Sequence, residues 1–326
     1  MRQTDIVKRA FQLTFRYPVL WIFGILAALT SGRGGNSYYT LNRNSVNLPA
    51  ASVPGIGQIG PGVWITIALF CCFLLLVVIA ASIIIQYVSR AALYRMVDRV
   101  EETGSKPTWR EGFRLGWTNR TFRLFLLELL LFVAVAIAAT ILVALAASPL
   151  LLLLVHNAAI RTLGVGLAVA LMLFVVLLLL VVALALSLLR QFWAREIVLA
   201  DRGIGAAFAS GYVLVRERFK DVGLMWLLLL AIGIGWFLVM LLVVLVVVLA
   251  AVAVGAGVGF SVYGITHSVG WAIVAGFPLF LAVMVVPLTF LGGLYQVFHS
   301  SAWTLAYREV VRPEPRTGVS PVLTPA

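Results

Sequence analysis

Charge is what this sequence has least of. Asp, Glu, Lys and Arg make up 11% of its 326 residues, whereas a soluble globular domain carries about a quarter. Histidine occurs three times and cysteine twice, too sparsely for converging metal ligands. His156 and His267 stand far apart in sequence, without cysteine or carboxylate neighbours, and carry no metal expectation. Cys71 and Cys72 adjoin inside an apolar run, read as small hydrophobes in helix packing, and report no redox compartment. Nor is there a mixed, charged stretch of the roughly 100 residues a soluble domain needs. Together these absences argue against a soluble enzyme, alone or on a membrane anchor.

What is there is apolar: 63% of residues are hydrophobic and the mean hydropathy is +1.09. A water-soluble fold could not hide that much apolar surface, so lipid is the expected solvent. Four runs, about 62–88, 124–147, 164–189 and 222–254, each exceed the roughly 20 residues that cross a hydrocarbon core. A fifth, about 271–298, holds Pro278 and Pro287 but no charge, and predicts one kinked span. The run Tyr17–Thr30 is short, and with Ala27-Ala28-Leu29-Thr30-Ser31-Gly32 at its end a cleaved signal peptide or a re-entrant segment is the alternative. The amphipathic segment before it recurs later in the chain, which favours a retained helix.

The formal charge of +12 would suggest nucleic acid in a soluble protein. Beside apolar spans it points instead to anionic headgroups, with no nucleic acid as partner. Four Lys/Arg precede residue 17, eight fall in 89–123, six in 190–221 and three after His299, so 21 of 24 lie on one side of the predicted spans. Only Arg33, Arg43 and Arg161 fall on the other. The positive-inside rule then puts both termini in the cytoplasm. On the outer side, 31–61 reads as a flexible loop, and the connections about 148–163 and 255–270 as short or glycine-rich. The tail 312–326, with four prolines, is expected to be disordered.

An internal period near 100 residues is also visible. Ala10-Phe11-Gln12-Leu13-Thr14-Phe15, Gly112-Phe113-Arg114-Leu115-Gly116-Trp117 and Ala207-Phe208-Ala209-Ser210-Gly211-Tyr212 share the order small, Phe, two variable positions, small, aromatic. With Val7, Trp109 and Ile204 four residues ahead of each Phe, every trio falls on one helical face. Such helices suit a cytoplasmic interface, with Phe11, Phe15, Trp109, Phe113, Trp117, Phe208 and Tyr212 toward lipid and cations toward phosphate. The small residues let another helix approach closely. Even-numbered spans end in Tyr94-Arg95-Met96-Val97, Ala194-Arg195-Glu196-Ile197 and Tyr307-Arg308-Glu309-Val310. The predicted fold is all-α: one transmembrane domain, 1–311, of six helices in three hairpins (repeats 1–100, 101–200 and 201–311) with interfacial helices.

Three stretches carry a family resemblance: Phe15-Arg16-Tyr17-Pro18-Val19-Leu20-Trp21-Ile22-Phe23-Gly24, Arg195-Glu196-Ile197-Val198 with Asp201-Arg202-Gly203, and Ser301-Ala302-Trp303-Thr304-Leu305-Ala306-Tyr307-Arg308. They resemble a broad group of uncharacterised bacterial six-helix integral membrane proteins, similar to the membrane domain of some glycerophosphoryl diester phosphodiesterases. The resemblance implies a plasma-membrane domain with no established activity. The hydrolase domain is absent from this sequence, so its chemistry does not carry over.

Few residues invite chemistry. Glu128 is the one acid inside a span, and an intramembrane carboxylate costs about 2.5–3.5 kcal/mol at the bilayer centre, less toward the ends. Pairing with a neighbouring Arg is the simpler expectation; a proton or substrate role is the sharper one. Gln86, Gln191, Gln296 and His299 lie toward the same ends and could form either a polar vestibule or interhelical glue. The outward Gly255-Ala256-Gly257-Val258-Gly259 lacks a basic partner for phosphate, and Gly233 and Gly235 suit close helix packing. No catalytic set and no cofactor are expected. The leading reading is a non-enzymatic, lipid-contacting scaffold or accessory subunit, partnered by anionic lipids and a membrane protein. Behind it stand a small transporter with a cavity around Glu128 and an intramembrane lipid enzyme drawing on Glu128 and His299.

Overall fold

A computed structural model describes residues 3–30, 61–104, 106–155 and 157–311. The expectations for the loop 31–60, for His156 and for the tail 312–326 lie outside the described residues. Every regular element among the described residues is helical. The order is α1 (Gln3–Arg16), α2 (Val19–Thr30), α3 (Pro61–Thr103), α4 (Trp109–Gly116), α5 (Asn119–Ala147), a 3-10 segment (Ser148–Leu154), α6 (Ala158–Val198), α7 (Ile204–Glu217), α8 (Phe219–Thr266) and α9 (Val269–Val311). Five of these are long and apolar enough to cross a membrane, or six if α1 and α2 count as one bent span. The described residues form two compact units, one drawn from 4–117 and 227–302, the other from 118–226 and 303–311.

The helices run further than the apolar periodicity predicts. Glycines in 255–264 read as a loop, yet α8 continues to Thr266. Gly255 and Gly276 explain this: a Cβ on Gly276 would strike the Gly255 carbonyl, so glycine serves close contact between α8 and α9. The connection between α8 and α9 shrinks to His267-Ser268, where His267 adopts φ 50°. Pro278 and Pro287 lie within α9, as the single-span reading expects. Of the two other span glycines, Gly233 faces the Tyr295 hydroxyl at 3.0 Å from a would-be Cβ, but Gly235 faces open space and is no packing site. Cys71 and Cys72 are exposed on α3, which corrects their assignment to helix packing.

In the unit of 4–117 and 227–302, Pro18 ends α1 because its ring nitrogen has no proton to donate. The chain turns by 100° between α1 and α2. Trp21 fastens this bend: its Nε1 donates at 2.7 Å to the Thr14 carbonyl, one of the last in α1. Leu20, Phe23, Gly24 and Ala27 are buried along α2. Gly24 and Gly293 bring α2 and α9 together, since a Cβ on Gly293 would lie 2.8 Å from the Ile25 backbone nitrogen. At the charged end of α3, Arg9 pairs with Glu101 at 2.5 Å and Arg99 pairs with Glu111. Arg95 donates to the Leu115 carbonyl at 2.8 Å, and Thr108 caps α4 through the Glu111 amide.

In the other unit, α5 packs on α6 and the 3-10 segment folds back on Gly164. Gly211 seats α7 on the Trp193 indole, whose Cδ1 would be 2.5 Å from a Cβ there. Trp193 also donates to the Phe208 carbonyl at 3.3 Å.

Across both units the buried residues concentrate at the ends of α3, α6 and α9: Val88–Val100, Phe192–Val198 and Ser300–Tyr307. The apolar middles are bare. Within the most apolar windows of the five long helices only 0–11% of residues are buried. Gly293→Val should therefore lower the melting midpoint of detergent-solubilised protein, with a cost of about 1–3 kcal/mol for overpacking. Gly235→Ala should leave that midpoint unchanged or raise it, because alanine favours helix by about 1 kcal/mol and meets no neighbour.

Candidate functional site

The densest polar cluster lies where charge is least expected. Phe192 to Val198 are all buried, although Arg195 and Glu196 sit among them at 1% and 2% exposure. An ion taken out of water costs several kcal/mol unless its hydrogen bonds are replaced. Arg195 replaces them with the Gln191 carbonyl at 2.7 Å, the Gln191 Oε1 at 3.1 Å and the Thr304 hydroxyl at 3.3 Å. Glu196 accepts from the Tyr307 hydroxyl at 2.8 Å and the Ser210 hydroxyl at 3.0 Å, and lies 3.2 Å from Arg202 Nε. Side chains from α6, α7, α9 and the loop after α6 thus converge on two adjacent residues.

Tyr307 lies beyond the apolar run 271–298. Burial first, then the neighbouring carboxylate of Glu196, pushes its phenol above its ordinary range, so it stays a proton donor to Glu196. The Phe192 ring meets Trp303 edge-on at 6.0 Å and Tyr307 at 6.3 Å, closing the cluster with aromatic surface. Beside it, Asp201 holds φ 54°, a left-handed conformation that Asp tolerates better than most residues. Its carboxylate receives Arg120 at 2.9 Å and Arg123 at 3.4 Å. Arg120 also donates to the Val198 carbonyl at 3.1 Å, placing a cation at the negative end of α6. This arrangement joins helices; its donors and acceptors are spent on one another.

The residues singled out from sequence fall into three groups. Glu128 pairs with Arg190 at 2.5 Å, its side chain 11% exposed, which is the simpler of its two expectations. Gln191 serves Arg195. Gln86, Gln296 and His299 belong to the other unit and are half-buried; His299 lies against the Tyr295 ring at 5.9 Å, and Tyr295 stacks on Trp236 at 5.5 Å. The short helices α1, α4 and α7 bury their small residues, Ala10 and Thr14, Gly112 and Gly116, Ala207 and Gly211. Their aromatics face outward: Phe11 57%, Phe15 53%, Trp109 53%, Trp117 71% and Tyr212 53% exposed. Phe113 and Phe208 instead lean on Phe23 and Trp193, at 5.2 and 4.6 Å. Sequence reasoning missed the Arg195–Glu196 network, quoting those residues only as a basic exit. The signal available was their position inside Gln191-Phe192-Trp193-Ala194-Arg195-Glu196-Ile197-Val198, where apolar neighbours flank the charges on every face.

A family of unknown function (DUF7544) matches residues 7–305, from α1 to the Thr304-bearing turn of α9. The chain belongs to that family. The match spans both units, so it covers Arg195, Glu196 and their partners other than Tyr307, and the small-and-aromatic faces of all three short amphipathic helices of this DUF7544 member. No curated protein and no solved structure matches the chain.

The network sets an order of mutational cost. Glu196→Ala should be severe, about 3–5 kcal/mol, because it removes the buried carboxylate that accepts from Tyr307, Ser210 and Arg202 together. Tyr307→Phe removes one hydrogen bond to a charged group and should cost about 1.5–3 kcal/mol. Thermal unfolding of the two variants in one detergent checks the ranking; equal midpoints would deny Glu196 its central place.

Proposed function

We propose that this protein is a multi-pass integral membrane protein of a bacterial plasma membrane. It has six spans in three hairpins and both termini in the cytoplasm, and it acts as a non-enzymatic, lipid-contacting scaffold or accessory subunit. One observation carries the reading: burial is inverted relative to a protein folded in water. Arg195 and Glu196 are buried, while Leu69, Phe70 and Phe73 on α3 are 65–67% exposed. Apolar surface of that extent is stable only against hydrocarbon. The one-sided distribution of cations supports the orientation. The 100° turn between α1 and α2 supports α1 lying along the interface when α2 enters the bilayer. α2 is the first of the six spans, although its 12 residues rise only about 18 Å.

The matching small-and-aromatic faces of α1, α4 and α7 support a threefold repeat of about 100 residues. They also support the lipid-contacting role, since exposed aromatics beside Lys8, Arg16, Arg110, Arg114, Arg216 and Lys220 suit a headgroup layer. The motif likeness to the membrane domain of glycerophosphoryl diester phosphodiesterases fits this assignment, without the hydrolase. The transporter reading would place its working carboxylate at Glu128, which is engaged by Arg190.

Solute flux in proteoliposomes separates these roles. The scaffold reading predicts flux equal to that of empty liposomes, with no change on Glu128→Gln. Flux above that baseline that disappears with Glu128→Gln would overturn it in favour of transport.

A further inference from the structure

The unit of residues 4–117 and 227–302 contains an open groove of about 410 Å³ lined by Thr4, Val7, Lys8, Phe11, Leu228, Ile232 and Phe298. Thr4, Val7, Lys8 and Phe11 follow the i, i+3, i+4, i+7 spacing of one face of α1, and Leu228 and Ile232 are one turn apart on α8. The groove is therefore built from a stripe of α1 and a stripe of α8, with Phe298 of α9 also lining it. Its wall is almost wholly apolar, with Lys8 and Thr4 contributing carbon surface to it. The volume falls within the range of about 300–1,000 Å³ typical of small-ligand sites.

Lys8 differs from the cations around it. Arg9, next in sequence, is paired with Glu101, and Arg99 with Glu111. Lys8 is exposed and makes no ion pair with any described residue. An apolar groove lined in part by the carbon stems of an exposed, unpaired lysine and a neighbouring threonine is complementary to one ligand chemistry: an acyl chain joined to an anionic phosphate headgroup.

We propose that this groove is a binding site for one anionic phospholipid, with an acyl chain between α1 and α8 and the phosphate on Lys8 and Thr4. The assignment rests on the membrane reading above, which places α1 at the headgroup layer, and goes beyond it by fixing a site and a lipid charge. It gives the interfacial helix a task that general lipid contact does not: α1 is held against α8 through a shared lipid.

Native mass spectrometry of the purified full chain, titrated with phosphatidylglycerol or phosphatidylcholine, tests it. The wild type should retain a single phosphatidylglycerol in preference to phosphatidylcholine. Lys8→Glu, a change at an exposed position, should erase that preference, whereas Lys8→Gln should weaken it about fivefold, the worth of one basic residue at an anionic surface. Ile232→Trp, which fills the groove, should abolish retention of both lipids, while Lys106→Gln, outside the groove, should change nothing. Water-soluble glycerol phosphate should fail to compete. Equal retention of the two lipids, indifference to Lys8→Glu, or competition by glycerol phosphate would each overturn the site. Such results in a protein that still partitions into bilayers would leave the membrane reading standing. A chain that stays out of bilayers altogether would remove both.

Discussion

Hydrocarbon can accept no hydrogen bond, and in the proposed membrane setting the rest of this structure follows from that constraint. Each backbone amide within the apolar runs must find its partner inside its own helix. This is why α8 and α9 continue through glycines and prolines that would end a helix in water. Packing glycines such as Gly24, Gly255, Gly276 and Gly293 stand where helices meet; in the proposed membrane setting, close approach replaces the hydrophobic effect as the source of association. The exposed side chains of the span middles need no protein partner if lipid is their solvent.

Organisation is consequently concentrated at the charged ends. There the ends of α3, α6 and α9 are buried, and the short helices α4 and α7 pack on α3 and α6 through Gly112, Gly116 and Gly211. The Arg195–Glu196 network is the strongest expression of this arrangement. Its two charges are stabilised by groups drawn from α7, α9 and the Asp201 loop, so no single hairpin could hold it. Loss of one partner strands the rest, which makes the network a specificity device for helix order as much as a source of stability.

Much of this was legible in the sequence, because spans and amphipathic faces are local, periodic features. The five long helices, the three short ones, their small inner faces and most of their outer aromatics follow from residue spacing alone. The Glu128 partner was legible as a type, an arginine, though its identity as Arg190 was not. What escaped depends on distance along the chain. Glu196 and Tyr307 are 111 residues apart, and composition near either one reads as a solvated basic exit. Gly233 and Gly235 show the same limit from the other side: both fall in the run 222–254, and only the neighbour opposite decides which one packs. Cys71 and Cys72 looked like core residues because small and apolar describes a lipid-facing site equally well.

The central claim is that lipid surrounds the span middles while the charged ends meet water. Nitroxide labelling of Cys71, with Cys72 replaced by serine, measures this directly in reconstituted bilayers, with a label on Lys106→Cys in a cysteine-free background as reference. At Cys71 the label should collide far more with dissolved oxygen, which concentrates in hydrocarbon, than with a water-soluble nickel chelate, and at position 106 the balance should reverse. Preferential collision of the Cys71 label with the nickel chelate would contradict the account.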